Sequence, residues 1–461
     1  MRPTAKRKTT RSRASLAAGP PQVDLAVVGL GRVGLTVAAA FAARGLRVLG
    51  IEKRPEVVAL LRRAKSRVLE PGIDAVLRRT LGRRLHVTAE WPERLPEVVV
   101  VCVSTPANPE TRTPDLRNIT DTADELARRL PPDGLVIVRS AVPVGTSRKL
   151  VLERIRRVRP RAGLACCPER AARGSALRAL RARPQLLGAI DDASAERAAA
   201  LFRRLTRRIV RVPNPETAEL VRLIDSCRTD LRYAFGNEVA LLARTHGLDP
   251  LEVIRGANEG DGARPREVAA VQSRIAVPGY VGGRLSKDPY LLLPSLGERP
   301  PEKSLVFAVR ELNESMPLRA AADVLRLLRG AGKDPARSRV LVCGFACRGG
   351  PGADDLRGAP AGPFVQALHG RVGRLLGHDY DVAAAELAGC GVEPVRLVAG
   401  LERADAVVLL CDHPRYARDL TPRRLATTRA PVVVYDSWRV LRDTAIPALP
   451  QVRYAGLGHE G

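Results

Sequence analysis

The sequence has few aromatic residues and no long apolar run. Aromatic side chains make up 3% of the 461 residues, so surfaces on which single-stranded bases could stack are scarce. No apolar run approaches the roughly 20 residues that cross a bilayer. The basic N-terminus also lacks the apolar segment of a secretory signal. These absences disfavour membrane insertion and secretion, and they predict a cytoplasmic protein.

The eight cysteines do not form the closely spaced pairs that are typical of zinc sites. Several lie in apolar, strand-like runs such as VVVVCVSTP and RVLVCGF, where cysteine serves as a small buried hydrophobe. The sequence therefore predicts reduced thiols and no metal site.

The net charge of +27 raises the question of nucleic-acid binding. Only eight of the 76 basic residues are lysine, and arginines are spread through every segment instead of gathering on one. This distribution is typical of coding bias and disfavours a nucleic-acid partner. A diffuse positive field still favours an anionic substrate that carries phosphates.

Strand and helix patterns alternate twice along the chain, with long helical stretches between the two regions. Such alternation predicts parallel sheets built from βαβ units. We therefore expect an α/β protein with two Rossmann-like, doubly wound domains joined by a central helical domain. The C-terminal pattern includes a predicted helix through 361–376, and the central region a long helix from about Glu216 to Gly247. The predicted segments are a disordered tail (1–20), a first Rossmann domain (21–213), a helical dimerisation domain (214–333) and a C-terminal Rossmann-like domain (334–461).

A glycine-rich turn follows the first predicted strand and precedes a helix. In such a turn the first glycine permits the tight bend, the second lets the backbone approach a pyrophosphate, and the third lets the helix pack on the strand. Glu52 ends the second strand, where a carboxylate can bind ribose hydroxyls and repel a 2′-phosphate. The pattern predicts NAD as cofactor, with NADP as an alternative because Lys53 and Arg54 are adjacent. The turn consists of Gly29, Leu30, Gly31, Arg32, Val33 and Gly34.

The segment from this turn to GIDAVL resembles the opening of the UDP-glucose/GDP-mannose dehydrogenase family. The likeness continues in order through VCVSTPAN, RSAVPVGTS, CPER, AFGNEVALLA, PGYVGG, KDPYLL, ELNESMP, DDLR, DHPRY and VVVYDS. The resemblance implies a three-domain homodimer that binds NAD on its first domain and a nucleotide-diphosphate sugar on its last. Members of the family oxidise a sugar alcohol to a carboxylate in two steps.

The resemblance also implies roles for individual residues. The implied catalytic residues are Asp288, Glu169, Arg222 and Ser226. Beyond the glycine turn and Glu52, the implied cofactor contacts are Thr105, Ser140 and Lys287. The implied substrate contacts are Gly282, Gly283, Arg348, Asp355 and Arg357.

The chain departs from the family at its catalytic loop. The family reads roughly PGxGxGGxCxPxDP, whereas this chain reads PGYVGGRLSKDP, two residues shorter, with Leu285 at or next to the place of the nucleophilic cysteine. Arg222 replaces a lysine and Ser226 an asparagine, and Arg139 replaces a glutamate. Arginine does not deprotonate near neutral pH, and leucine cannot form the covalent intermediate of the second oxidation.

Three functional hypotheses follow. The first is an NAD-dependent enzyme that oxidises a nucleotide-linked sugar once, or transiently, without a thioester. Asp288 and Glu169, with water between them, would then act as general base. The second is a homologue that binds NAD and nucleotide but does no chemistry, and the third is an orthodox acid-forming dehydrogenase with another nucleophile. The intact glycine turn and Glu52 favour the first over the second.

Overall fold

The computed structural model describes residues 23–66, 68, 70–108, 110–170, 174–259, 274–280, 282–350 and 354–460. The predicted N-terminal tail lies outside the described residues, as does part of the loop before the catalytic segment. No helix among the described residues is long and apolar enough to cross a membrane.

The first sheet has eight strands in the order β3-β2-β1-β4-β5-β6-β7-β8, and all neighbours are parallel except β6 and β7. Its inner strands are buried on both faces, which explains their nearly continuous runs of valine, leucine and isoleucine. Helices cover both faces, and Phe41 packs against Phe202 with ring centroids 5.6 Å apart. The strands are β1 (Leu25–Val28), β2 (Val48–Ile51), β3 (Leu85–Thr88), β4 (Val98–Val101), β5 (Leu135–Val138), β6 (Gly163–Cys166), β7 (Gln185–Ala189) and β8 (Ile209–Val212). The helices are α1 (Arg32–Ala43), α2 (Pro55–Arg62), α3 (Ile73–Thr80), α4 (Arg117–Arg129), α5 (Glu153–Arg156, preceded by a π-helical turn, Ser147–Leu152), α6 (Ala176–Ala182) and α7 (Asp192–Arg203).

A 31-residue helix, α8 (Pro215–Thr245), leads out of this sheet. Asn214 caps it by accepting a hydrogen bond from the Thr217 amide, and proline stands at its first position. The helix packs against α11 (Leu305–Gly330). Among the described residues, the other α-helices of the central segment are α9 (Pro250–Glu259) and α10 (Asp288–Leu292).

A buried polar network joins these two long helices and holds the loop between them. Arg310 on α11 donates to Asp230 on α8 at 2.8 Å and to the carbonyl of Leu285 at 3.0 Å. Asn237 exchanges hydrogen bonds with Gly279, at 3.1 and 2.8 Å. Burial raises the pKa of Asp230 to about 6, although Arg310 opposes that shift. The network thus fixes the catalytic loop to the helix pair at both of its ends.

The second sheet has seven strands in the order β11-β10-β9-β12-β13-β14-β15, and its last pair is antiparallel. The predicted helix through 361–376 is wrong in its second half, because the helix ends at Leu368 and a strand begins at Arg374. Gly370, at φ +72°, lies where the chain leaves the helix. The strands are β9 (Arg339–Cys343), β10 (Arg374–His378), β11 (Glu393–Pro394), β12 (Ala406–Leu409), β13 (Val432–Asp436), β14 (Val452–Gly456) and β15 (His459–Glu460). The helices are α12 (Ala361–Leu368), α13 (Ala384–Gly389), α14 (Leu397–Leu401), α15 (Pro414–Asp419) and α16 (Pro422–Leu425).

The first six strands of the two sheets are arranged in the same order. In each, the first strand lies between the second and fourth, so the strand order reverses there, and ligands bind at such switch points. The predicted fold class is confirmed: two Rossmann-like sheets flank a helical segment. The limits 21–213, 214–333 and 334–461 stay predictions.

Candidate active site

The glycine turn lies at the switch point of the first sheet, between β1 and α1. Gly29 has φ +85°, and a side chain there would meet the carbonyl of Cys102 at 2.9 Å. A Cβ on Gly34 would lie 1.8 Å from the carbonyl oxygen of Gly29. Gly31 differs, because nothing lies within 4 Å of an added Cβ. Two glycines therefore close the turn, and Gly31 leaves an open cradle at the start of α1, where a pyrophosphate fits.

Glu52 holds the turn from the end of β2. Its carboxylate accepts the Leu30 amide at 2.9 Å and the Arg54 guanidinium at 2.8 Å. Burial opposes ionisation, but the hydrogen bonds from Arg54 and Leu30 outweigh it and keep the pKa of Glu52 below its ordinary value. An ionised carboxylate can accept hydrogen bonds from hydroxyl groups, which is the role predicted for Glu52 toward ribose. Arg54 pairs with Glu52, and Lys53 donates to the side-chain oxygen of Asn118 at 2.7 Å. Both cations that could bind a 2′-phosphate therefore already have partners within the protein.

A cavity of about 810 Å³ runs from the glycine turn to the catalytic loop. It is lined by residues of all three segments of the chain, so the predicted cofactor and catalytic residues converge on one space. The predicted residues that line it are Gly29, Gly31, Arg32, Val33, Glu52, Thr105, Ser140, Glu169, Arg222, Gly283, Lys287 and Arg357. Leu30 and Gly34 are buried within the turn itself.

Thr105 and Ser140 join the ends of neighbouring strands beside this cavity. Thr105 donates to the Ala141 carbonyl, and Ser140 donates to the Val103 carbonyl at 2.7 Å. Both hydroxyl protons are used within the protein, which leaves the oxygens as acceptors toward the cavity.

Asp288 is fully buried at the start of α10, and its carboxylate contacts three of the predicted site residues. Arg222 approaches its carboxylate at 2.9 Å, Lys287 at 2.8 Å, and the Ser226 hydroxyl donates to it at 2.8 Å. Burial alone would raise the pKa of Asp288, but Arg222 and Lys287 hold it well below its usual range. Asp288 is therefore ionised near neutral pH beside two cations, which makes its carboxylate a weak proton acceptor.

Glu169 faces the same cavity from the end of β6. The fully buried Arg139 on the end of β5 approaches its carboxylate at 2.6 Å and also donates to the Cys167 carbonyl at 2.9 Å. Arg139 also lies over the Phe202 ring at 5.2 Å. Arg139, which stands where the family has a glutamate, thus holds Glu169 in place through an ion pair.

The catalytic loop is a 3₁₀ turn, Gly283–Ser286, docked on the C-terminal segment. The Gly283 amide donates to the Arg357 carbonyl at 3.0 Å, and a Cβ on Gly282 would lie 1.8 Å from the Gly358 carbonyl. Gly282 therefore serves close packing. Leu285 is buried and is not among the cavity residues, whereas Arg284 is.

Arg284 is the residue that sequence reasoning missed. Counting back from Asp288 with the family spacing Cys-x-Pro-x-Asp-Pro places the cysteine at position 284, and counting forward from the paired glycines places it at 285. The shortened loop made the two counts differ. The fold favours the first, since the side chain at 284 reaches the cavity.

The predicted substrate contacts of the C-terminal segment lie in two places. Asp355 receives Arg357 at 2.9 Å and Arg32 of the glycine turn at 3.0 Å, so it joins the first and last segments. Arg348 donates to the Tyr233 hydroxyl on α8 at 3.3 Å and does not line the 810 Å³ cavity.

Comparison with known proteins agrees with this architecture. The family models for the UDP-glucose/GDP-mannose dehydrogenase NAD-binding, central and UDP-binding domains match residues 23–206, 216–315 and 341–443. The chain belongs to this family. It is therefore an NAD-dependent enzyme of the nucleotide-sugar dehydrogenase kind, and the predicted family and cofactor are confirmed.

Relatives match over most of their length. The UDP-N-acetyl-D-mannosamine dehydrogenase of Pyrococcus horikoshii is 32% identical over 400 residues, 85% of this chain and 90% of that protein. The NDP-N-acetyl-D-galactosaminuronic acid dehydrogenase of Ralstonia nicotianae is 29% identical, with coverages of 87% and 93%. A solved structure of the UDP-D-ManNAc dehydrogenase of Pyrococcus horikoshii superposes with a TM-score of 0.81 at 28% identity, over 94% of this chain and 99% of that one.

Proposed function

We propose that the protein oxidises one CH–OH group of a nucleotide-diphosphate sugar in a single two-electron step. The observation that carries this proposal is the thiol content of the cavity. Among the described residues that line it, Cys102 is the one cysteine. It packs beneath Gly29 and Gly34, and burial raises the pKa of its thiol to about 12. A protonated thiol under the glycine turn cannot trap an aldehyde.

The chain's own residues support one oxidation. NAD, when bound, supplies the acceptor for two electrons and a hydrogen, and the Gly31 cradle and Glu52 fit it. Arg222 and Lys287, both on the cavity, would stabilise a developing alkoxide. We assign the proton acceptor to Glu169, which faces the cavity, and a positioning role to Asp288, which is buried behind it.

The test is the stoichiometry of NADH. With a panel of UDP- and GDP-linked sugars, we expect at most one NADH per sugar, and a carbonyl product that hydroxylamine traps. A transient oxidation that is reversed in the site would give an altered sugar and no net NADH. Two NADH with a carboxylate product would overturn the single oxidation. Tight binding of NAD and nucleotide sugar with an unchanged sugar would instead support a non-catalytic homologue.

We also propose that the protein is a homodimer through the outer face of α8. Five apolar side chains of this helix are exposed, at alternating intervals of four and seven residues: Leu220, Ile224, Leu231, Phe235 and Leu242. Such intervals place them on one continuous stripe. The most exposed of them, Phe235 and Leu242, are 53% and 55% accessible in the single chain. A stripe of this kind is typical of an interface.

Charging the stripe should abolish the dimer. We expect light scattering at micromolar concentration to give a dimer for the native chain and a monomer for the Ile224→Glu, Phe235→Glu double variant. Val158 is equally exposed, at 53%, but lies in the first segment, so Val158→Glu is the matched control and should remain dimeric. A native chain that scatters as a monomer would contradict the assignment.

A further inference from the structure

The loop between β4 and α4 joins the first segment of the chain to the central one. Its described residues, 102–108 and 110–116, include a short antiparallel hairpin, in which the Asn108 amide donates to the Thr113 carbonyl at 2.8 Å. Thr105, at the base of the hairpin, lines the cavity and is hydrogen-bonded to the segment that follows β5. The base of the hairpin is therefore fixed to the first sheet.

Arg112 lies at the turn of this hairpin in a backbone conformation that is uncommon for any residue but glycine. Its φ is +57°, in the left-handed region. Its amide donates to the Asn108 carbonyl at 2.9 Å, which closes the turn. Glycine or asparagine would adopt this conformation with less strain, and the arginine is held in it by the contacts of its side chain.

The Arg112 side chain contacts three side chains of the central segment. Its guanidinium carbon lies over the Tyr290 ring at 5.6 Å and the Phe307 ring at 5.3 Å, within the range of a cation–π contact. Its Nη2 atom lies 3.5 Å from the Glu314 carboxylate, which also accepts the Tyr290 hydroxyl at 2.7 Å. The tip of the hairpin is therefore fixed to α10 and α11.

These contacts lead to both elements that form the catalytic end of the cavity. Tyr290 lies two positions after Asp288 on the same short helix. Glu314 also lies 3.3 Å from the Nε atom of Arg310, and Arg310 donates to the Leu285 carbonyl of the catalytic loop at 3.0 Å. A shift of the hairpin tip therefore acts on α10 and on the catalytic loop together.

We propose that Arg112 is a positioning residue that fixes the cofactor side of the cavity to its catalytic side. This inference rests on the proposed function, because it gives Arg112 a part in the geometry of that oxidation. The reacting carbon of the sugar must lie about 3–3.5 Å from the nicotinamide. The nicotinamide lies beside Thr105 of the first segment and the sugar beside Asp288 of the central one. The fastening therefore governs the rate of hydride transfer, whereas the glycine turn governs the affinity for NAD.

Kinetics and hydrogen–deuterium exchange on the full-length protein test the inference. Arg112→Gly removes the side chain and leaves a residue that suits the turn. We expect it to lower kcat at least 10-fold, with the UDP- or GDP-linked sugar that the native chain oxidises fastest. It should also speed amide exchange over Asp288–Leu292 at least 5-fold and change the Kd for NAD less than 2-fold. The unchanged Kd shows that the first segment is folded. Arg112→Lys keeps the charge and should restore part of kcat.

Arg117→Ala is the control, because Arg117 is 87% exposed and pairs with Asp115 at the end of the same loop. It should change none of the three quantities more than 2-fold.

Two results for Arg112→Gly would each overturn the positioning role: a native kcat, or native exchange over Asp288–Leu292. A loss of NAD affinity as large as the loss of kcat would also overturn it, since Arg112 would then act on cofactor binding. If the native chain forms no NADH with any sugar of the panel, the proposed function falls. Exchange over Asp288–Leu292 then still decides whether Arg112 fastens the two segments.

Discussion

Replacing Asp288 with asparagine should destabilise the protein by about 3–5 kcal/mol and lower kcat/KM by about 100-fold or more. The carboxylate is fully buried between Arg222 and Lys287 and also accepts the Ser226 hydroxyl. Asparagine keeps the shape but leaves Arg222 without its buried counter-charge. Urea denaturation and steady-state kinetics measure the two effects.

Acid should reduce the difference in unfolding free energy between the native chain and the Asp288→Asn variant. The folded pKa of Asp288 is depressed, so its contribution is present above the unfolded pKa of about 4 and is lost as the pH falls toward the folded value. The difference in unfolding free energy between the native chain and the variant is therefore largest near neutral pH and becomes smaller below about pH 4. Asp225→Asn is the matched control: it removes a part-exposed partner of Arg170 and Arg228 and should cost no more than about 1 kcal/mol. Equal costs for the two variants would contradict the role given to Asp288.

Replacing Gly31 with valine should weaken NAD binding by about 100-fold or more, which is about 2.7 kcal/mol, and leave the fold intact. Gly31 has a negative φ of −65°, outside the left-handed region that requires glycine, and an added Cβ would have no protein atom within 4 Å. The added side chain would occupy the cradle itself. Calorimetric titration with NAD and thermal unfolding without cofactor separate the two effects.

Gly34→Ala is the contrasting variant, because its Cβ would overlap the Gly29 carbonyl at 1.8 Å. It should lower the melting temperature whether or not NAD is present. If Gly31→Val binds NAD as the native chain does, the cradle is misassigned. If Gly31→Val unfolds like Gly34→Ala, the open space at Gly31 is not available to a side chain.

The sequence by itself determined the local elements. Apolar runs of four or five residues became the buried strands, because strands covered on both faces need apolar residues on both sides. The spacing of Gly29, Gly31 and Gly34 predicted the turn between β1 and α1, although the atoms that exclude a side chain at Gly29 belong to Cys102 and Val103 after β4. Helical periodicity predicted the long helix within about two residues of Pro215–Thr245. It failed over 361–376, where the apolar residues of α12 and β10 read as one helix.

Only the tertiary structure decided what the site contains. The sequence placed Leu285 at or next to the cysteine's position, whereas in the folded loop, which docks on Arg357 and Gly358, Arg284 and not Leu285 lines the cavity. Sequence proposed Asp288 as a base, but its pKa depends on Arg222, which is 66 positions away in the chain. The pKa of a buried group depends on its burial and on charged side chains from distant segments of the chain. Both are set only when the chain has folded.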